Sequence, residues 1–142
     1  MADAVTTNIL VNGFRNAVVT LTNFSDGTGE TNVVKVDATS SGPFGVSKQG
    51  QTFYPGTHLT IWRVTHTLGV MSVRLRWKAT VDQDALILAP GTDEQDFSEV
   101  GGLRVPAGLA GATGSIALTT QGAVVGASYT INLFLKKNVP TS

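Results

Sequence analysis

The chain has 142 residues, ten basic and ten acidic side chains that cancel, and no cysteine. That length suits one domain and buries about two-thirds of the surface its unfolded form exposes, enough for a core without staples. The missing cysteines exclude disulfides and thiolate metal sites and suit a reducing compartment, and the charge balance argues against a protein held by nucleic-acid phosphates.

Residues 1–16, "MADAVTTNILVNGFRN", carry no basic segment followed by an apolar run, so no signal peptide is expected. They read as an apolar N-terminal arm presenting Ile9, Leu10, Val11 and Phe14. A domain then spans 17–138. Ala17, Val19 and Leu21 alternate with Val18, Thr20 and Thr22, and the turn "SDGTGE" leads into "NVVKVDAT", with Val34 and Val36 read on one side. Residues 40–57 read as a loop with Phe44, Phe53 and Tyr54. "HLTIWRVTH" sets Leu59 and Ile61 against Thr60 and Trp62, with Val64 on the Trp62 side. "SVRLRWKAT" points Val73, Leu75 and Trp77 inward and Arg74, Arg76 and Lys78 outward. "DALILAP" is a short apolar run. Residues 91–114 read as the longest loop, yet they carry Phe97, Leu103, Val105 and Leu109, which need burial in this domain or against a neighbour. "GSIALTT" and "SYTINLFLKK" close the domain, the latter with Tyr129, Ile131, Leu133 and Leu135 on one face. Residues 139–142 are a C-terminal tail.

The period is two throughout, in short runs rich in Val, Ile, Thr and aromatics and separated by Gly, Pro and Asp. No segment has a helical period with a cap, and no apolar stretch approaches the ~18 residues of a membrane helix. The expected fold is therefore all-β: an antiparallel β-sandwich, with jelly-roll connections as one option, an extended N-terminal arm and long loops. Charged residues are 14% of the chain, against about 25% in ordinary domains. Either Thr, Ser, Asn and Gly cover the surface, or part of it is covered in the working state.

Six of the ten carboxylates, Asp82, Asp84, Asp93, Glu94, Asp96 and Glu99, fall within 18 residues that hold no Lys or Arg. Paired carboxylates can hydrolyse glycosides or hold calcium, but the calcium-loop spacing is missing. A solvated loop or a charged contact fits them better. The basic face of Arg74, Arg76 and Lys78 is the natural counterpart of that loop, from the same chain or an adjacent subunit, and such pairs set orientation and partner choice. His58 and His66 have neither a nucleophile motif nor further ligands near them in sequence. "GGLRVPAGLAGATG" lacks the phosphate-loop spacing. The residues therefore indicate no catalytic group, no metal and no cofactor. The expected interface set is Ile9, Leu10, Val11, Phe14, Arg74, Arg76, Lys78, Asp93, Glu94, Asp96, Phe97, Glu99, Leu103 and Arg104.

"NAVVTLTNFSDGTGETNVVKVDAT", "VRLRWKA", "DFSEVGGLRVPAG", "GATGSIALTTQG" and "SYTINLFLKK" together resemble a group of small virion proteins of tailed bacteriophages, over roughly Asn16 to Lys137. The resemblance implies a non-enzymatic structural protein, a head decoration (cement) protein on the outer capsid lattice. It also implies a homo-oligomer, trimer or dimer, that clamps major capsid protein subunits in a virion assembled in the host cytoplasm, with no nucleic-acid or membrane partner. A tail, neck or fibre component is the neighbouring alternative. Readings of other classes are a carbohydrate-binding module with an aromatic platform of Trp62, Phe53 or Tyr54, and a small hydrolase using the acidic loop.

Overall fold

The computed structural model describes residues 4–13, 15–39, 44–48, 50–54, 58–106 and 108–137. Phe14 and the tail 139–142 lie outside the described residues. Among the described residues eleven strands run in the order β1 (Ala4–Asn12), β2 (Asn16–Asp26), β3 (Val33–Val36), β4 (Val46–Lys48), β5 (Gln51–Phe53), β6 (Leu59–Gly69), β7 (Ser72–Trp77), β8 (Gln83–Leu88), β9 (Gly91–Asp96), β10 (Ile116–Gln121) and β11 (Val125–Lys137).

They form a five-stranded sheet, β1-β2-β11-β6-β9, a four-stranded sheet, β3-β10-β7-β8, and a separate hairpin, β4-β5. The pairings among the described strands are antiparallel. With β1 and the hairpin set aside, β2, β11, β6 and β9 face β3, β10, β7 and β8. Consecutive strands thus change sheet at β2–β3, β6–β7, β8–β9, β9–β10 and β10–β11, which is jelly-roll connectivity. The all-β antiparallel sandwich expected from the two-residue period is the fold the chain adopts.

The core lies between the sheets. Ala17, Val19, Leu21, Ile61, Val64, Ile131, Leu133 and Leu135 come from one side and Val36, Val73, Leu75, Trp77, Leu88, Ile116 and Leu118 from the other, all essentially inaccessible. Val73, Leu75 and Trp77 face inward as their alternation with arginines requires.

Five local readings are corrected. Residues 4–12 are a strand, paired with β2 from Ala4↔Phe24 to Asn12↔Ala17, with a bulge between Ile9 and Val11. The bulge explains why "ILV" breaks the alternation that Val5, Thr7 and Ile9 establish. Gly91–Asp96 is also a strand, recruited by pairing with Arg63–Leu68 although its acids disfavour strand. The 40–57 loop contains the hairpin β4-β5. Two further bulges flip faces: one between Phe134 and Leu135 on the β11–β6 ladder admits Trp62 as an extra residue, so Val64 turns inward, away from Trp62. Another, on the β10–β3 ladder, sends Val36 into the core and leaves Val34 46% exposed.

Candidate interface on the sheet edge

β1 is the outer strand of the five-stranded sheet, and its residues from Val5 to Asn12 are exposed. Val5, Thr7 and Ile9 share the inner face with Asn23, Leu21 and Val19 of β2. Those β2 partners are buried, while Val5 is 42% exposed and Ile9 39%. Leu10 and Val11 are exposed as well, at 62% and 48%. The sandwich thus ends at β2 on this side, and β1 projects past it. The strand is fastened at its far end. Gly13 N–H donates to Asn16 O at 2.8 Å, and the Lys137 ammonium donates to Gly13 O at 3.0 Å and to Asn12 Oδ1. Lys137 is the last inward residue of β11, lies 5.7 Å from the centre of the Phe44 ring and is buried. Burial lowers its pKa from the ordinary lysine value.

The charged residues are divided between two places. Arg74 and Arg76 stand on the outer face of the four-stranded sheet and meet Asp84 of the adjacent strand, with Nε–Oδ1 distances of 3.7 and 2.9 Å. Lys78 Nζ meets Asp82 Oδ2 at 3.0 Å. Asp82 also accepts from the Ala79 backbone N–H at 3.0 Å and from Asn32 Nδ2 at 2.9 Å. The Ala79 N–H above all, with Asn32 and Lys78 adding to it, outweighs the effect of burial and holds the Asp82 carboxyl at about 2. The basic face is therefore answered inside its own β7–β8 hairpin. Asp93, Glu94 and Asp96 sit elsewhere, on β9 at the far edge of the five-stranded sheet, where Glu94 pairs with Arg63 at 2.5 Å. Asp96 accepts from Ser98, whose hydroxyl and N–H lower its pKa. The structure does not bring the β9 acids to Arg74, Arg76 and Lys78.

The segment after β9 closes on its own domain. A single 3-10 turn, Ser98–Val100, carries the exposed Glu99. The chain then returns to β6: Leu103 N–H donates to Ile61 O at 2.7 Å and Ile61 N–H to Leu103 O at 2.9 Å. Phe97, Leu103, Val105 and Leu109 pack partly buried against the core, so these four side chains find cover within the same chain. Arg104 is exposed. Gly102 is required here: its φ is +88°, and a Cβ would lie 2.3 Å from Thr60 Cγ2 and 3.0 Å from Ile61 O.

Two groupings were not legible in the sequence. The first is a buried polar cluster at the β2–β3 corner. Glu30 forms an ion pair with Lys35, their side chains 6% and 4% exposed. Glu30 Oε2 also accepts from Asn23 Nδ2 at 2.9 Å and from the Tyr129 hydroxyl at 2.5 Å. Its backbone is tied to Thr120 by N–H to Oγ1 at 2.8 Å and by O to N–H at 2.9 Å. The only sequence signal was a carboxylate closing a glycine-rich turn. The second grouping is a row of five threonines on the outer face of the five-stranded sheet. Thr6, Thr22, Thr130, Thr67 and Thr92 stand in register, one per strand. Beside it, Thr20 Oγ1 donates to Asn132 Oδ1 at 2.7 Å and Asn132 Nδ2 to Thr65 Oγ1 at 3.0 Å. This neutral face accounts for much of the low charge content.

Trp62 packs edge-on against Phe134, ring centres 5.5 Å apart, while Phe53 ends β5 of the separate hairpin and Tyr54 follows it. His66 is inward on β6, opposite Asp93 and Ile131, and 6% exposed. Among the described residues no three His, Asp or Glu side chains are grouped to hold a metal ion. No family model, no curated protein and no solved structure matches this chain.

Proposed function

We propose that this chain is a non-enzymatic structural protein of a phage virion. In this reading it is a decoration (cement) protein that attaches to the outer surface of the major capsid lattice and works by adhesion. Assembly takes place in the host cytoplasm, and the partners are the major capsid protein and further copies of this chain. The observation that carries the reading is β1: an edge strand of nine uncharged residues with four large aliphatic side chains open to solvent. Native edge strands are ordinarily kept short, charged or covered, so such an edge marks a contact surface. The resemblance of Asn16–Lys137 to small virion proteins supplies the class of partner, and repeated copies on a lattice turn a modest contact into firm attachment. Jelly rolls occur in capsid and lectin domains alike, so the fold alone does not choose between them.

The test is co-sedimentation of the purified protein with mature shells of the phage that encodes it. Leu10→Glu, on a side chain already 62% exposed, is expected to change stability by no more than about 0.5 kcal/mol while reducing shell occupancy at least tenfold. Wild-type protein that stays in the supernatant overturns the reading, and density for it on the tail moves it to the tail-component alternative.

A further inference from the structure

The two sheets present four outer strands: β1 and β9, β3 and β8. Three of them carry features that discourage pairing with another chain. β9, "GTDEQD", has three acids in six residues. β8 has six residues and holds Asp84 against two arginines. β3 has four residues and a bulge. β1, "AVTTNILVN", is nine residues long with no charge and no proline, and it runs regularly up to its bulge after Ile9. Short length, charge and bulges are the devices that keep sheet edges from joining, and β1 lacks them over Ala4–Ile9.

We propose that this stretch pairs with the same stretch of a second copy, antiparallel, about a two-fold axis at Thr7, joining two five-stranded sheets into one. The inference rests on the adhesion reading above and names the partner of that surface. Self-pairing follows from charge and register. A β1–β9 contact would set an uncharged strand against Asp93, Glu94 and Asp96, desolvating carboxylates with no cation from β1 to answer them, and it would repeat without closing. A β1–β1 contact brings no charge to the seam and closes on itself. A two-fold axis normal to the sheet places inner-face residues opposite inner-face residues. Centring at Thr7 sets Val5 against Ile9 of the partner, Thr7 against Thr7, and Thr6 against Asn8. Four aliphatic side chains that each copy leaves open, Val5 and Ile9 from both, then form one apolar strip beneath the joined sheet. Centring at Thr6 sets Val5 against Thr7, centring at Asn8 sets Ile9 against Thr7, and either loses the aliphatic pairing. The bulge after Ile9 bends the edge away just where the Thr7 register ends.

The experiment uses the full chain. Light scattering during size exclusion over a concentration series should give twice the 14.8 kDa chain mass. The chain has no cysteine, so Thr7→Cys introduces a sole thiol. Directly opposed strand residues lie within reach of a disulfide or a short bis-maleimide, so this variant should cross-link to a dimer. Thr92→Cys on β9 should not. Ile9→Lys should give the single-chain mass with an unchanged far-UV spectrum, and should that variant unfold, the Thr7→Cys cross-link decides. A single-chain mass for the wild type throughout, a dimer that survives a folded Ile9→Lys, or cross-linking through position 92 in place of position 7 overturns the proposal. A dimer that ignores phage shells overturns the virion reading and leaves the pairing intact. A monomer that coats shells does the reverse.

Discussion

Replacing Glu30 by alanine tests whether the corner cluster holds the two sheets together. The carboxylate is buried and serves Lys35, Asn23 and Tyr129 at once. Its removal strands an ammonium whose side chain is 4% exposed, and breaking a buried ion pair from one side costs about 3–5 kcal/mol. The Tyr129 hydroxyl, on a residue 2% exposed, also loses the acceptor it has on Glu30. Domains are stable by only about 5–15 kcal/mol, so Glu30→Ala should lower Tm by roughly 10–20 °C. Lys35→Met should cost less, about 1–2 kcal/mol, because the carboxylate keeps its hydrogen bonds to Asn23 and Tyr129. Urea unfolding followed by tryptophan fluorescence reads both, with Trp77 buried at 2% as the reporter, and unchanged m-values confirm that the same transition is compared. Equal losses for the two variants, or a Glu30→Ala loss below about 1 kcal/mol, would refute the argument that Glu30 is the hub.

Gly102→Ala should destabilise by about 2–4 kcal/mol, from a positive φ and a collision with Thr60, while Gly101→Ala, with φ +81° but open space, should cost about 1 kcal/mol; equal losses in thermal melts would contradict the close approach. Asp82 has a folded pKa below its ordinary 3.8, at about 2, so the stability it contributes is present above 3.8 and is lost as pH falls toward 2. Asp82→Asn should therefore flatten the stability–pH curve between about pH 4 and 2, and an unchanged acid slope would count against the Ala79 contact. Lys137 is shifted the other way for a base: its folded pKa is lowered, so its burial penalty is fully present while it is charged and is relieved as pH rises through the folded value toward the unfolded one. Lys137→Met should remove that alkaline gain in stability and, by deleting the bonds to Asn12 and Gly13, speed amide exchange in β1; slow exchange there would show that the strand does not depend on this anchor.

Much of the sandwich was written in the alternation. Val73, Leu75 and Trp77, and Tyr129, Ile131, Leu133 and Leu135, face inward because a strand turns successive side chains to opposite faces, and one face had to be apolar. Alternation failed at three bulges, where Leu10, Trp62 and Lys35 are the inserted residues, because one extra residue reverses every face that follows it and a bulge leaves no compositional mark. It failed again at β9, whose acids argue against a strand until β6 offers it an edge.

The chain's own composition and period therefore determined an all-β, disulfide-free domain with an apolar N-terminal segment and a basic strand face. Only the tertiary structure decided that this segment is a sheet edge, that Asp82 and Asp84 neutralise the basic face from within, and that Glu30 and Lys35 are buried partners. The physical reason is that local periodicity reports which side of a strand is apolar. Which strands become neighbours, and so which charges meet and which edge stays open, depends on pairing between residues up to 125 positions apart, as Lys137 and Asn12 are.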